Sequence, residues 1–147
     1  MINNDRCDLL ITGATVFDGS GGPGVLADVA VTDGRISAFG ALASIKARDV
    51  MIADGKALAP GFIDTHTHDD MALLRQPSHP SKVTQGVTTV VIGNCGVSPA
   101  PLGPRDDLVE PPFIFLGRSD GRRFDTYGDY VDVLAKAQPD VHVIKLV

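Results

Sequence analysis

All six residues of Val87-Thr88-Thr89-Val90-Val91-Ile92 are β-branched. Such side chains lose rotamer freedom in a helix and pack well on a pleated surface, so the run specifies a strand. Because apolar and polar residues do not alternate along it, it reads as a strand covered on both faces, the habit of parallel sheets. Parallel neighbours need a long crossover, usually helical, and the surrounding sequence supplies two. Upstream, Phe62 to His68 reads as an extended strand, a polar loop begins at Asp69, and a short helix can start at Ser78 or Pro80 and reach Gln85-Gly86. Downstream come a Pro-rich connection from Ser98 to Pro112, a helix from Thr126 to Gln138 with Asp129, Asp132 and Lys136 exposed, and a strand from Val141 to Val147. Strand, helix, strand in this order predicts an α/β fold with a parallel sheet.

The pattern before residue 60 differs. Short apolar stretches broken by glycine, at 8–12, 14–17, 28–32 and 35–40, read as strands. Asp33-Gly34 between the last two is a type I′ hairpin signal. Val50-Met51-Ile52-Ala53 and Lys56-Ala57-Leu58-Ala59, joined at Asp54-Gly55, complete a small all-β unit. The glycine-rich stretch from Asp18 to Gly24 is read as an open loop, since neither a strand-to-helix context nor a P-loop lysine accompanies it. The expected units are 1–59 and 60–147.

With 147 residues, 44% hydrophobic and 21% charged, the chain has the composition of a folded domain rather than a disordered one. A net charge of −5 argues against nucleic acid, whose phosphates are met by clustered Lys and Arg. The densest cationic group, Arg118, Arg122 and Arg123, is interrupted by Asp120 and Asp125 and reads as a solvated loop. No run approaches the length of a membrane span, and the start lacks the basic and apolar regions of a signal peptide. The two cysteines, Cys7 and Cys95, sit in contexts too different for a disulfide framework. A cytoplasmic protein is the expectation.

Chemistry concentrates in three residues. Side chains alternate along a strand, so an extended 62–68 segment places His66 and His68 on one face at its C-terminal end. Two converging imidazoles can supply two corners of a zinc shell, although either ring could instead be a satisfied core or surface group. Cys95, in Ile92-Gly93-Asn94-Cys95-Gly96, follows the β-branched strand at the corresponding end, the edge where ligands collect in parallel α/β folds. A lone cysteine after an apolar strand is ordinarily a small buried hydrophobe. Placement of all three at the mouths of neighbouring strands favours a metal site. His79 and His142 read as structural or surface residues, and Lys145 as a lysine that snorkels to an edge rather than a carboxylated metal bridge.

The assembled residues resemble the metal-dependent amidohydrolase superfamily and, within it, the N-acyl-D-amino-acid deacylases, or D-aminoacylases. The stretch from Asp8 to Gly19 looks like the family's first strands, and Ala59 to His68 is similar to the superfamily signature on barrel strand one, shared with dihydroorotases, hydantoinases and deaminases. Gly86 to Ser98 is the narrower marker, similar to the segment where deacylases carry a metal-binding cysteine. The resemblance implies a small N-terminal β-sandwich segment followed by the first strands of a (β/α)8 TIM-like barrel, truncated. It implies one or two zinc ions held by His66, His68 and Cys95, and hydrolysis of the amide bond of small-molecule N-acyl-D-amino acids, zinc polarising the carbonyl and acidifying water. Further ligands and the catalytic carboxylate are expected beyond residue 147. Asp69 and Asp70, just after the histidines, are expected to support the ligands or face solvent. Exposed barrel edges imply self-association. Two other readings stay open: a cyclic-amide hydrolase of the hydantoinase or dihydroorotase type, and a non-catalytic fragment or interaction module.

Overall fold

The structure, a computed structural model, describes residues 6–101, 113–116, 122 and 124–146. It separates into two compact units that meet in sequence at Pro60 and Gly61.

The first unit is one mixed sheet of five strands: β1 (Arg6–Val16), β2 (Val25–Thr32), β3 (Arg35–Gly40), β4 (Lys46–Ile52) and β5 (Ala57–Leu58). β1, β2 and β3 form an antiparallel meander, and Asp33 and Gly34 take φ of 51° and 70°, the left-handed values that a type I′ hairpin demands. The stretches expected at 8–12 and 14–17 are a single strand. The register shift between Ile11 and Ala14 is where β1 bends, steadied by the Gly13 N–H, which donates to Asp28 Oδ1 at 3.0 Å. The stretches joined at Asp54-Gly55 do not pair with each other. β4 begins earlier than expected, at Lys46, and β4 and then β5 run parallel to β1 along its other edge. One face buries Cys7, Leu10 and Ala30, while the other forms an apolar depression of about 520 Å³ lined by Ile11, Val29, Val31, Ile36, Phe39 and Leu58 among others. A sandwich requires a facing second sheet, and the described residues of this unit form only one layer.

The second unit holds the parallel sheet. Its strands β6 (Phe62–Asp64), β7 (Val87–Ile92) and β8 (His142–Lys145) lie in that order, parallel to one another. The first crossover carries α1 (Ala72–Arg75) and α2 (Pro80–Val83), and the second carries α3 (Tyr127–Ala137). α1 lies in the stretch expected to be a polar loop. It forms because Met71, Leu73 and Leu74 are buried against the core, a payload outweighing the polar residues around them. β7 is covered less than its composition suggests: Val90 and Ile92 are buried, whereas Thr88 is exposed.

α3 matches its expected span closely. The Thr126 side chain accepts from the Asp129 N–H and the Asp129 carboxylate accepts from the Thr126 N–H, a reciprocal cap. Its buried stripe of Tyr130 and Leu134, flanked by Tyr127, Val133 and Ala137, packs into the cluster containing Val90 and Ile92. Asp129, Asp132 and Lys136 are exposed as expected. Of the Pro-rich connection, residues 102–112 lie outside the described residues, as do Arg118, Asp120, Arg123 and Val147.

Candidate metal centre

β6 ends at Asp64, so His66 and His68 follow the strand rather than ride on it. Face alternation along a strand therefore does not bring the rings together. Instead, the Thr67 N–H donates to the Val91 carbonyl at 3.2 Å, keeping the histidine segment laced to β7 beyond the end of β6. The buried Asn94 side chain completes the stitch: its Nδ2 donates to the Val91 carbonyl at 2.8 Å and to the Thr67 carbonyl at 3.4 Å. The His66 and His68 rings meet edge to face, centroids 5.6 Å apart.

Cys95 reaches the same point through a contorted turn. Gly93, Cys95 and Gly96 take φ of 78°, 59° and 67°, all left-handed. A Cβ on Gly93 would stand 2.5 Å from the Leu146 carbonyl oxygen, so the backbone itself requires glycine there. This turn brings Cys95 Sγ to 3.2 Å from His66 Nε2. One ligand-type atom from each of His66, His68 and Cys95 lies within 4.8 Å of the other two, and no further His, Cys, Asp or Glu among the described residues joins them. His142 is exposed at the start of β8, and Lys145 is exposed at its end, opposite Ile92 and outside the cluster.

Charged groups crowd the flanks of the histidine segment. Lys82 Nζ lies 2.5 Å from Asp64 Oδ2 and 3.2 Å from Asp69 Oδ2, and the buried His79 Nε2 lies 3.2 Å from the same Asp69 oxygen. His79 is structural, as expected. The hydrogen bond from Lys82 holds the Asp64 carboxyl below its usual range. Burial alone would raise Asp69, but hydrogen bonds from Thr67, His79 and Lys82 outweigh it and hold the group low. Lys82 is likewise opposed by burial, yet its two carboxylate partners raise it.

Asp70 is the exception. It is 1% exposed, which rules out the solvent-facing role, and neither carboxylate oxygen has a hydrogen-bond partner among the described residues. Burial pushes it up to about 7. The backbone N–H groups of Asp70 and Gly93 pull the other way without reaching hydrogen-bond geometry, so desolvation wins. A carboxyl raised on folding binds its proton more tightly in the native state, so stability is expected to fall as pH rises from about 4 to about 7 and then level off. The loss is about 4 kcal/mol, three pH units at about 1.4 kcal/mol each. Asp64 and Asp69, held low, act in a separate window: their contribution is present above about pH 4 and disappears only in stronger acid. Denaturant melts with chelator present are expected to show Asp70→Asn flattening the pH 4–7 limb and leaving the acid limb unchanged; an unaltered slope would contradict this.

The amidohydrolase family profile matches residues 49–111, a stretch containing all three clustered side chains. Over 147 aligned residues the chain is 48% identical to an N-acyl-D-aspartate deacylase of Alcaligenes xylosoxydans xylosoxydans, an alignment covering 97% of the chain and 28% of that protein. The chain belongs to the amidohydrolase family. Among solved structures, the chain superposes on a D-aminoacylase with a TM-score of 0.88 at 43% identity, covering 96% of the chain and 29% of that enzyme. It also superposes on the N-acyl-D-glutamate deacylase of Bordetella bronchiseptica, solved with zinc and a phosphonate mimic of the tetrahedral intermediate, with a TM-score of 0.85 at 41% identity, over 97% of the chain and 29% of that enzyme. The chain thus spans just over a quarter of the length of these relatives. No helix among the described residues is long and apolar enough to cross a membrane.

The three clustered donors fit a zinc ion. With Zn–S of about 2.3 Å and Zn–N of about 2.0–2.1 Å, sulfur and nitrogen on adjacent tetrahedral corners stand roughly 3.5 Å apart. The Cys95–His66 separation of 3.2 Å is close to that. A thiolate with two imidazoles is a borderline-soft set that favours zinc over magnesium or calcium. Sequence reasoning found these three residues but missed Asn94, Asp64 and Lys82. The signal was faint: each belongs to a common polar type, and only the fold brings it beside the histidine segment.

Proposed function

We propose that these residues form part of the active site of a zinc-dependent amidohydrolase that cleaves the amide bond of N-acyl-D-amino acids. The observation that carries the reading is the convergence of His66, His68 and Cys95 on one point at the ends of adjacent parallel strands. The names of the similar proteins support the substrate class, since they include deacylases of N-acyl-D-aspartate and N-acyl-D-glutamate. In this reading the second unit is the opening of a (β/α)8 barrel, 1–59 is the accompanying β segment, and the edges of β6 and β8 are surfaces for self-association.

His66 Nε2, His68 and Cys95 Sγ would hold one zinc ion, or share a pair. When bound, zinc supplies Lewis acidity, polarising a scissile carbonyl and making water acidic enough to ionise near neutral pH. The remaining work belongs to the chain. Asn94 and the Thr67 N–H hold the two ligand-bearing turns at fixed separation. Asp69, tied to His79 and Lys82, is not free to rotate toward the ion. No described carboxylate joins the ligand cluster as a proton carrier, so that role falls to a residue outside this set.

The test uses the full-length protein carrying these 147 residues, loaded with zinc and offered N-acetyl-D-aspartate, N-acetyl-D-glutamate and N-acetyl-D-leucine beside their L-enantiomers. Release of free D-amino acid that stops on chelation and resumes with zinc is the expected result. Bound zinc with no release from any D-substrate would overturn the substrate class, and absence of zinc binding would leave the non-catalytic reading.

A further inference from the structure

The histidine segment is gripped from outside. Asp64 stands two residues before His66, and Asp69 directly follows His68. Lys82, from α2 in the crossover, places its ammonium 2.5 Å from Asp64 Oδ2 and 3.2 Å from Asp69 Oδ2, so one cation closes a loop around His66-Thr67-His68. Both carboxylates are fastened at further points. Asp64 Oδ1 accepts from the His66 N–H at 3.3 Å, while Asp69 Oδ2 lies 3.2 Å from the buried His79 ring. The three ion-paired side chains are only 22–29% exposed, so solvent screens them less than it would surface pairs.

We propose that Lys82 is a positioning residue for the metal: by clasping Asp64 and Asp69 it fixes the backbone from which both imidazoles project and keeps two adjacent carboxylates from competing as ligands. The inference rests on the metal reading of His66, His68 and Cys95.

Its sign distinguishes it from simple electrostatics. Removing a positive charge beside a cation site should tighten binding if charge alone mattered. A clasp predicts the reverse, because its loss frees the ligand segment and releases two oxygen donors. Lys82→Met is therefore expected to weaken zinc binding roughly 10- to 100-fold, the usual effect of losing a group that orients metal ligands. Lys82→Arg, which preserves a cation of similar reach, should stay within about threefold of the parent.

The experiment is zinc competition against a chromogenic chelator, together with cobalt substitution, on the parent, Lys82→Met, Lys82→Arg and, as an ion-pair control from the first unit, Arg48→Met. The cobalt spectrum supplies a readout that general destabilisation does not move. In Lys82→Met the visible bands should lose intensity as oxygen donors raise the coordination number, while Lys82→Arg and Arg48→Met keep the parent spectrum. If Lys82→Met does not fold by circular dichroism, Asp64→Asn, which opens one arm of the clasp, is expected to show the same weakening and spectral change. Zinc affinity at or above that of the parent with an unchanged cobalt spectrum, in whichever variant folds, overturns the clasp alone. A parent chain that binds no zinc overturns the clasp together with the metal reading.

Discussion

Replacing Cys95 with alanine is expected to lower zinc affinity by roughly 10²–10³-fold. The four ligands of structural zinc sites together contribute about 10–16 kcal/mol, so one thiolate accounts for on the order of 3–4. Here the fraction is large because the described cluster has only three members. Cys7→Ser is the matched control: Cys7 is buried in the core of the first unit and is not a member of the cluster, so its loss should leave zinc binding unchanged. Competition titration of the two variants reads the contrast directly. Equal affinity in Cys95→Ala and the parent would remove Cys95 from the site and return it to the role of a small apolar side chain.

The second large effect lies in the packing beneath the site. Tyr130 is fully buried, its ring meets Phe124 edge to face at 5.3 Å, and its hydroxyl donates to the Asp70 carbonyl at 3.1 Å. It therefore joins α3 to the loop that follows the histidines. Truncating a buried aromatic to alanine typically costs about 3–5 kcal/mol, and Tyr130→Ala is expected to fall in that range. Tyr130→Phe keeps the ring and loses one hydrogen bond, for about 1 kcal/mol. Urea melts of the two variants separate the packing term from the polar one. Similar losses in both would show that the hydroxyl dominates, contrary to the burial argument.

Much of this was legible in the residues themselves. The β-branched run at 87–92, the Asp33-Gly34 turn and the capped helix beginning at Thr126 follow local rules strong enough to survive tertiary context. His66, His68 and Cys95, which the structure brings together, stand out in the sequence because they are rare, chemically distinctive types near strand ends. The errors arose where local pattern and tertiary demand part. Strand alternation was extended through His68, although pairing stops at Asp64 and the rings converge through a backbone bond to β7 instead. α1 was hidden by its polar neighbours, since nothing local reveals that Met71, Leu73 and Leu74 face a core. The pairing of β4 and β5 with β1 is a long-range choice that short windows do not encode. For Asp69, support of the ligands or a solvent-facing place is the expectation from sequence, and its pairing with Lys82 and His79 is a long-range contact that no local pattern reveals.

The left-handed backbone at Cys95 also bears on how this position can change over time. Residues with φ near 60° are mostly glycine, asparagine, aspartate and histidine, and a β-branched side chain there is strained. Valine, isoleucine and threonine are therefore excluded by the main chain before any question of chemistry arises. Two of the tolerated residues, aspartate and histidine, bring a metal-binding atom of their own. A single substitution can thus exchange sulfur for oxygen or nitrogen without rebuilding the turn, and a carboxylate would move the site's preference toward harder ions such as manganese or magnesium. The backbone that constrains this position narrows its side-chain repertoire and leaves open a short route to a different metal.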